Sequence, residues 1–185
     1  MPLPPSLTDL ASRVRAFDDR VDSAFDGVRG NKTADRLFYA ASELGDFSLI
    51  WHLFGVARGV TSNRKADEAI RLSAVLAAES VLVNGVVKSF FRRRRPEWVS
   101  PTPRPHRLRR PRSSSFPSGH ASAAFTAATV LAEDDPLWPL YYVAAAFVAS
   151  SRTYVKIHHA SDVVAGAMTG IVIGRIARKA WPKPH

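Results

Sequence analysis

A chain of 185 residues has room for one domain, or for one domain with a short extension. Its formal net charge of +10 and its pI near 10.6 favour an anionic partner such as nucleic acid, membrane headgroups or phosphate esters. It contains no cysteine, which excludes disulfides and thiolate metal sites. The first residues lack the apolar run of a cleaved signal peptide, so we expect no secretory leader.

Positive charge is concentrated in one stretch of the chain. Nine arginines and one acid, Glu97, lie between Arg92 and Arg112, whereas the remainder is nearly neutral and rich in alanine, valine and leucine. Five prolines interrupt residues 92–116, which therefore predict a basic loop rather than a helix or a strand. The mean hydropathy of −0.09 thus averages this loop with much more apolar segments.

Apolar residues spaced three and four apart predict an amphipathic N-terminal helix over 6–28. The pattern fits a helix that lies on a membrane or caps a bundle, and it fits a soluble surface helix equally well. Apolar helical segments are predicted over 37–60, 66–91, 120–132, 137–150 and 163–177. Since strand signals are weak, the predicted fold class is an all-α bundle of about five to six helices, forming one domain over 1–185.

The last predicted helix carries a stripe of small residues, Gly166, Gly170 and Gly174. In lipid such a stripe lets helices approach closely, whereas each glycine in a soluble helix costs up to about 1 kcal/mol relative to alanine. No segment is a clean run of about 20 apolar residues, which argues against spans. On balance we expect a multi-pass transmembrane bundle rather than a soluble helical domain.

Two polar clusters lie at predicted helix ends. KSFFRRRRP places Lys88 and Arg95 where a helix ends, although such side chains also occur there simply because their charged ends reach the membrane surface. SFPSGH places Ser118 and Gly119 at a helix start, where free N–H groups suit an anion, with His120 in the first turn. The simpler interpretation of the second cluster is an N-cap serine beside an incidental histidine.

The third cluster, SRTYVKIHHASD, contains two adjacent histidines. His158 and Asp162 are four residues apart, which predicts one helical face and hydrogen-bond reach. A carboxylate bonded to one ring nitrogen fixes the tautomer and leaves the other nitrogen free to attack. His159 has no such partner at the same spacing, so His158 is the candidate nucleophile, and Arg152 ends the preceding helix.

An antiparallel bundle would bring these three clusters to the same end. Lys88, Arg95 and Arg152 would then surround an anion with positive charge. One histidine could attack the anion and the other could protonate a leaving group.

The three clusters, taken together, resemble the motifs of the type 2 phosphatidic acid phosphatase (PAP2) superfamily. KSFFRRRRP fits K-x6-R-P, FPSGH supplies P-S-G-H, and SRTYVKIHHASD fits S-R-x5-H-x3-D, in the family's order. The motifs cover less than half of the chain, from Lys88 to Asp162. The resemblance implies a PAP2/haloperoxidase-like helical bundle in which residues 92–116 form an active-site loop.

The resemblance also implies a metal-independent lipid phosphatase that needs no cofactor. In such an enzyme His158 would attack phosphorus to give a phosphohistidine, Asp162 would orient it, and His120 would protonate the leaving oxygen. The phosphoryl group would be bound by Lys88, Arg95, Ser118, Gly119 and Arg152.

Several alternatives stay open at this point. Soluble acid phosphatases and vanadate-dependent peroxidases share the motifs, but the former usually carry a signal peptide and the latter are much longer. A non-catalytic basic protein that binds a membrane surface or nucleic acid is a further alternative. Nucleic acid is the weaker of these two partners, because no aromatic residue apart from Trp98 is interleaved with the arginines and no base-reading fold is apparent.

The expected partners are a lipid phosphate and membrane lipids, without nucleic acid. Substrates consistent with the family are polyprenyl phosphates or diphosphates, polyprenyl-phosphosugar phosphates and phosphatidate-type lipids. The expected location is a bacterial plasma membrane, spanned several times. The arginine-rich loop slightly favours a cytoplasmic active site, and homo-oligomerisation is left open.

Overall fold

A computed structural model describes residues 5–97 and 113–183 of the chain. Most of the basic loop predicted over 92–116 therefore lies outside the described residues. Within those residues the chain forms helices and no strand, which confirms the all-α class. The α-helices are α1 (Pro5–Asp26), α2 (Lys32–Leu44), α3 (Leu49–Gly59), α4 (Asn63–Ser80), α5 (Gly119–Leu131), α6 (Trp138–Tyr154) and α7 (Ala160–Ala180).

The apolar stretch 37–60 forms two helices, α2 and α3, separated by one 3₁₀ turn, Asp46–Ser48. Phe47 and Ser48 adopt φ angles of 53° and 58°, a left-handed conformation that an α-helix cannot continue. Gly45 precedes this turn, and a Cβ on it would lie 2.7 Å from Cδ2 of His120. The turn itself therefore lies against the start of α5.

Helix α4 does not end at Ser80 but changes its winding. It continues as a π-helical turn, Val81–Val86, and then as a 3₁₀ turn, Val87–Phe90. Wider turns of this kind are frequent at functional sites. Here the altered winding carries Lys88 to the end of the segment, in a buried position.

Helix α5 lies at the centre of the bundle, in contact with α4, α6 and α7. The glycine stripe of α7 faces it, as the sequence predicted: Gly166, Gly170 and Gly174 are all buried. A Cβ on Gly166 or Gly170 would lie only 2.4 or 2.2 Å from a backbone carbonyl oxygen of α5. The two helices therefore approach each other as closely as glycine alone permits.

The opposite face of α7 is apolar and exposed. Val164, Met168, Val172 and Ile176 have between 48% and 64% of their surface accessible, which in water would be an unfavourable continuous patch. Among the described residues, two helical segments are long and apolar enough to cross a membrane, Asn63–Phe90 and Ala160–Ala180. The outer face of α7 has the composition that contact with lipid requires.

Helix α1 packs across the turn between α6 and α7. Phe25 makes edge-to-face contacts with Phe38 and Tyr154, at ring-centroid distances of 5.8 and 5.6 Å. Asp22 accepts a 2.8 Å hydrogen bond from Lys156, and Arg29 donates to the backbone of the α6 C-terminus. Aromatic and ionic contacts thus fasten α1 beside the segment that carries His158.

Candidate active site

The three polar clusters meet at one end of the bundle, around a cavity of about 510 Å³. This volume is typical of a site for a small molecule or a lipid headgroup. The cavity is lined by five of the eight residues singled out from the sequence: Lys88, Gly119, His120, Arg152 and His158. The other three, Arg95, Ser118 and Asp162, contact these residues or cap the adjacent helices.

His158 is only 2% exposed, and its two ring nitrogens face different groups. Nε2 lies 3.1 Å from Nη1 of Arg95, whereas Nδ1 lies 3.6 Å from Oδ2 of Asp162. The second distance is longer than a hydrogen bond but is within ion-pair range. The carboxylate and the guanidinium thus lie on opposite edges of the imidazole.

The helical register expected for this histidine is wrong. His158 lies in the turn before α7, with His159 as the N-cap residue and Ala160 as the first helical residue. His158 and Asp162 therefore approach each other across a helix start and not along one helical face. His159 also has a partner that the sequence did not suggest, because its backbone N–H donates to Oδ2 of Asp162 at 2.9 Å.

Backbone carbonyl oxygens hold Arg95 beside His158. Nη1 donates to the carbonyl of Ile157 at 3.0 Å, and Nη2 donates to the carbonyls of Ser113 and Ser114 at 3.3 and 3.2 Å. These contacts fix the position and the direction of the guanidinium. A charge fixed in this way suits an incoming anion.

Arg152 is a cation almost completely removed from water, at 2% exposure. Its Nη1 donates to the hydroxyl of Ser42, and its Nε has no hydrogen-bond partner within the described part of the chain. A buried donor without a partner is costly. An anion in the cavity, flanked by Arg152 and the buried Lys88, would remove that cost.

Ser118 and Gly119 form the start of α5. The hydroxyl of Ser118 accepts from the backbone N–H of Ala121 at 3.4 Å, so it caps the helix. The backbone N–H of Ser118 donates to the carbonyl oxygen of Asp162 at 3.0 Å, which joins α5 to α7. A Cβ on Gly119 would lie 2.6 Å from Oδ1 of Asn84, so a larger residue here would displace the Asn84 side chain.

The cavity contains two acidic residues that the sequence reasoning missed. Asp46, on the turn between α2 and α3, places Oδ1 at 2.8 Å from Nε2 of His120. Glu79, on α4, is 1% exposed and also lines the cavity. The one sequence signal for Asp46 was that it interrupts the apolar stretch 37–60. Among residues 5–97 and 113–183, no group of three or more acidic or histidine side chains could bind a metal ion.

The pKa of His158 is lowered to about 3. Burial of the ring is the main cause, and the positive charges of Arg152 and Arg95 add to it, whereas Asp162 opposes it. An unperturbed histidine has a pKa of about 6.5. The imidazole of the ligand-free protein is therefore neutral at physiological pH and carries a lone pair on one nitrogen.

We expect His158 to stay neutral when the ligand-free protein is taken from pH 8 to pH 5. Because the pKa is lowered, protonation should begin only as the pH falls toward about 3, whereas an unfolded chain takes up this proton near about 6.5. The free energy of unfolding should therefore decline as the pH falls below about 6.5, because the unfolded chain then binds a proton that the folded protein does not bind. The ¹⁵N shifts of labelled histidine, assigned by comparison with His158→Gln, measure the titration. A midpoint near 6.5 would contradict the burial argument.

The fold and the cavity together define a helical bundle with a buried cluster of cations and two histidines at one end. The sequence profile of the PAP2 superfamily matches residues 68–184, which is more than half of the chain. The chain belongs to the PAP2 superfamily.

Relatives in this superfamily are named as phosphatases of lipid phosphates. The chain is 34% identical over 111 residues to an undecaprenyl-diphosphatase of Sulfolobus acidocaldarius, covering 58% of this chain and 51% of that protein. It is 27% identical over 136 residues to a decaprenylphosphoryl-5-phosphoribose phosphatase of Mycobacterium tuberculosis, covering 73% of both. The chain thus spans about half the length of the first of these relatives.

Two crystal structures share the fold. A transmembrane PAP2-type phosphatidylglycerolphosphate phosphatase from Bacillus subtilis superposes with a TM-score of 0.68 at 22% identity, covering 91% of this chain and 86% of that one. LpxE of Aquifex aeolicus superposes with a TM-score of 0.66 at 24% identity, covering 86% and 93%. At these identities the likeness establishes the helical architecture.

Proposed function

We propose that this chain is a metal-independent lipid phosphatase, embedded in a bacterial plasma membrane as a multi-pass bundle, that works through a phosphohistidine. One observation carries the proposal. A neutral, buried His158 presents Nε2 at 3.1 Å from Arg95, beside a cavity that Lys88 and Arg152 also line. A nucleophile and an anion-binding cluster therefore share one small space.

Three cations bind the phosphoryl group in this proposal. Lys88, Arg95 and Arg152 balance the negative charge that spreads over the phosphoryl oxygens in the transition state. The start of α5 adds the backbone N–H of Gly119 and the hydroxyl of Ser118 as further donors to the anion. Since hydrogen bonds already hold Arg95 and Arg152 in place, little reorganisation accompanies binding.

The reaction then proceeds in two displacement steps. Nε2 of His158 attacks phosphorus, the bond from phosphorus to the lipid oxygen breaks, and His120 transfers a proton to that oxygen. Water next attacks the phosphohistidine and gives a proton to His120, and the phosphorus–nitrogen bond breaks to release phosphate. The carboxylate of Asp46, at 2.8 Å from Nε2 of His120, favours the protonated form of this second histidine against its burial and the nearby charge of Arg152.

The substrate's lipid part is proposed to be a polyprenyl chain. The named relatives with the longest matches act, by their names, on undecaprenyl diphosphate and on decaprenylphosphoryl-5-phosphoribose. The exposed apolar face of α7 supports a lipid environment for the bundle. We therefore rank polyprenyl phosphates, diphosphates and phosphosugar phosphates above phosphatidate-type lipids.

A panel of lipid phosphates, tested on purified protein in detergent with a chelator present, examines this proposal. It should contain polyprenyl phosphate, polyprenyl diphosphate, a polyprenyl-phosphosugar phosphate and phosphatidate, beside a water-soluble phosphomonoester. We expect phosphate release from a polyprenyl substrate at a rate that chelation does not change. Turnover only of the soluble ester, or only after a divalent metal is added, would overturn the proposal. Salt-sensitive lipid binding without any turnover would instead favour a non-catalytic basic protein.

A further inference from the structure

Asp162 has a charged partner besides His158. Its carboxylate is fully buried, and Oδ1 accepts a 2.7 Å hydrogen bond from Nη1 of Arg93. The other oxygen, Oδ2, is the one that faces Nδ1 of His158 and accepts from the backbone of His159. Arg93 therefore occupies one carboxylate oxygen and leaves the other oxygen for the histidine segment.

Arg93 in turn contacts the N-terminal helix. Its Nη2 donates to Oδ2 of Asp18, on α1, at 2.6 Å, while Nη1 also donates to the hydroxyl of Ser161 at 2.7 Å. Asp18 accepts from the backbone N–H and the hydroxyl of Ser161, at 2.7 and 2.9 Å. One guanidinium thus bridges two carboxylates, one on α1 and one beside the candidate nucleophile.

Asp18 is unusual for the helix that carries it. It is only 5% exposed, although the carboxylate of Asp22, one turn later, is 35% exposed. Burial of a carboxylate is costly unless it is paired and hydrogen-bonded. An amphipathic helix can dock through apolar residues on its inner face alone. The buried carboxylate of Asp18 therefore indicates a role in addition to docking. Asp18 also lies outside residues 68–184, which match the superfamily.

We propose that Asp18 and Arg93 are positioning residues for the reaction at His158. Asp18 fixes the guanidinium of Arg93, Arg93 fixes the carboxylate of Asp162, and Asp162 fixes the tautomer and angle of the His158 ring. The N-terminal helix is thereby part of the catalytic apparatus, although none of its described side chains lines the cavity. This inference rests on the proposed role of His158 as the nucleophile.

The geometry explains why such an arrangement would matter. Nδ1 of His158 is 3.6 Å from Oδ2 of Asp162, which is too long for a firm hydrogen bond. Small rotations of the carboxylate therefore decide whether Nδ1 can donate to Oδ2, and so alter the tautomer of the ring and the direction of Nε2. An arginine that bridges two carboxylates is suited to prevent that rotation, because its planar guanidinium fixes the direction of the hydrogen bond to each of them.

The test compares Asp18→Asn with Asp22→Asn. The two carboxylates lie one turn apart on α1, and both bind the segment around the α6–α7 turn, but only Asp18 touches Arg93. Asparagine at position 18 can still accept from Ser161, so the start of α7 stays capped. We expect Asp18→Asn to lower kcat roughly tenfold or more with little change in KM, as for an interaction needed in the transition state. Asp22→Asn, which removes ionic contacts to Arg29 and Lys156, should lower the Tm but change kcat less than about twofold.

A double mutant separates positioning from general damage. If Asp18 acts through Arg93, the change Asp18→Asn should have little further effect in an Arg93→Gln background, because coupled residues are not additive. Independent structural damage would make the two losses multiply, and that result would overturn the inference. If Asp18→Asn does not fold, Arg93→Lys replaces it as the test variant. Lysine keeps the charge but cannot bridge two carboxylates, so we expect a similar fall in kcat, and a wild-type kcat would count against the inference.

A readout without substrate distinguishes this inference from the proposed function. The ¹⁵N shifts of His158 in ligand-free protein report its tautomer, which we expect to be protonated on Nδ1 in wild type and in Asp22→Asn. In Asp18→Asn and Arg93→Gln the shifts should move toward a mixture of tautomers. Absence of turnover by wild type would overturn the proposed function alone. Unchanged His158 shifts in both variants, or equal kcat in Asp18→Asn and Asp22→Asn, would overturn the positioning role.

Discussion

Replacing His158 with glutamine should lower turnover of a lipid phosphate by about 10⁴-fold or more, as is typical when a nucleophile is lost. Glutamine is similar in length and polarity but cannot form the covalent phosphoryl intermediate. The surrounding cations Lys88, Arg95 and Arg152 are untouched by the change. Substrate should therefore still bind, and the loss should appear in kcat. Initial rates of phosphate release in detergent measure it.

The adjacent His159 provides the matched control. It lies in the same turn and caps α7, but its side-chain Nε2 is directed to the backbone oxygen of Arg94, at 3.3 Å, and not to the cavity. We expect His159→Gln to retain turnover within about tenfold of wild type. Its main effect should be a modest loss of stability, because the N-cap of α7 is weakened. Turnover that survives in His158→Gln and disappears in His159→Gln would show that the wrong histidine has been assigned.

Substitution of alanine for Gly170 should strongly destabilise the bundle. The new methyl group would lie 2.2 Å from the carbonyl oxygen of Ser122 and 3.0 Å from the backbone nitrogen of Thr126. Backbone atoms cannot move aside as a flexible side chain can, so α5 and α7 would have to separate. Overpacking of this kind typically costs about 1–3 kcal/mol and sometimes more. The Tm of purified protein in detergent, and the yield of monodisperse protein, measure the effect.

Gly85→Ala is the control for replacing a glycine by alanine where no other helix packs closely. Gly85 also lies in a helical segment, Val81–Val86, but a Cβ there would meet nothing within 4 Å. Since alanine favours a helix by about 1 kcal/mol relative to glycine, Gly85→Ala should leave the Tm unchanged or raise it. Equal Tm values for the two alanine variants would mean that α5 and α7 do not pack as closely as described.

The helical segments, and the residues that meet around the cavity, could be predicted because each depends on short-range spacing. The apolar segments, the turn residues between them and the glycine stripe of α7 all lie within a few positions of one another. The three motifs likewise indicate chemistry through fixed spacings, such as that from Arg152 to His158. Their meeting at one end of the bundle followed from an antiparallel arrangement of neighbouring helices.

Contacts between distant segments could not be predicted in this way. Four consecutive arginines, residues 92–95, look alike in the sequence, and only the folded chain directs Arg93 to Asp162 and Arg95 to His158. Asp18 and Asp46 are ordinary surface acids by pattern, and their positions depend on where α1 and the turn before α3 dock. The division of 37–60 into two helices depends on two left-handed residues, neither of which is glycine.

Chemical trapping of the phosphoenzyme tests the central claim most directly. Protein mixed with a ³²P-labelled polyprenyl phosphate and a chelator would be quenched in base, in which phosphohistidine survives, and the labelled peptide would be identified by mass spectrometry. The mechanism predicts label on His158, formed at least as fast as steady-state turnover and absent from His158→Gln. Turnover by wild type without any labelled protein, or label on His120 instead, would contradict it.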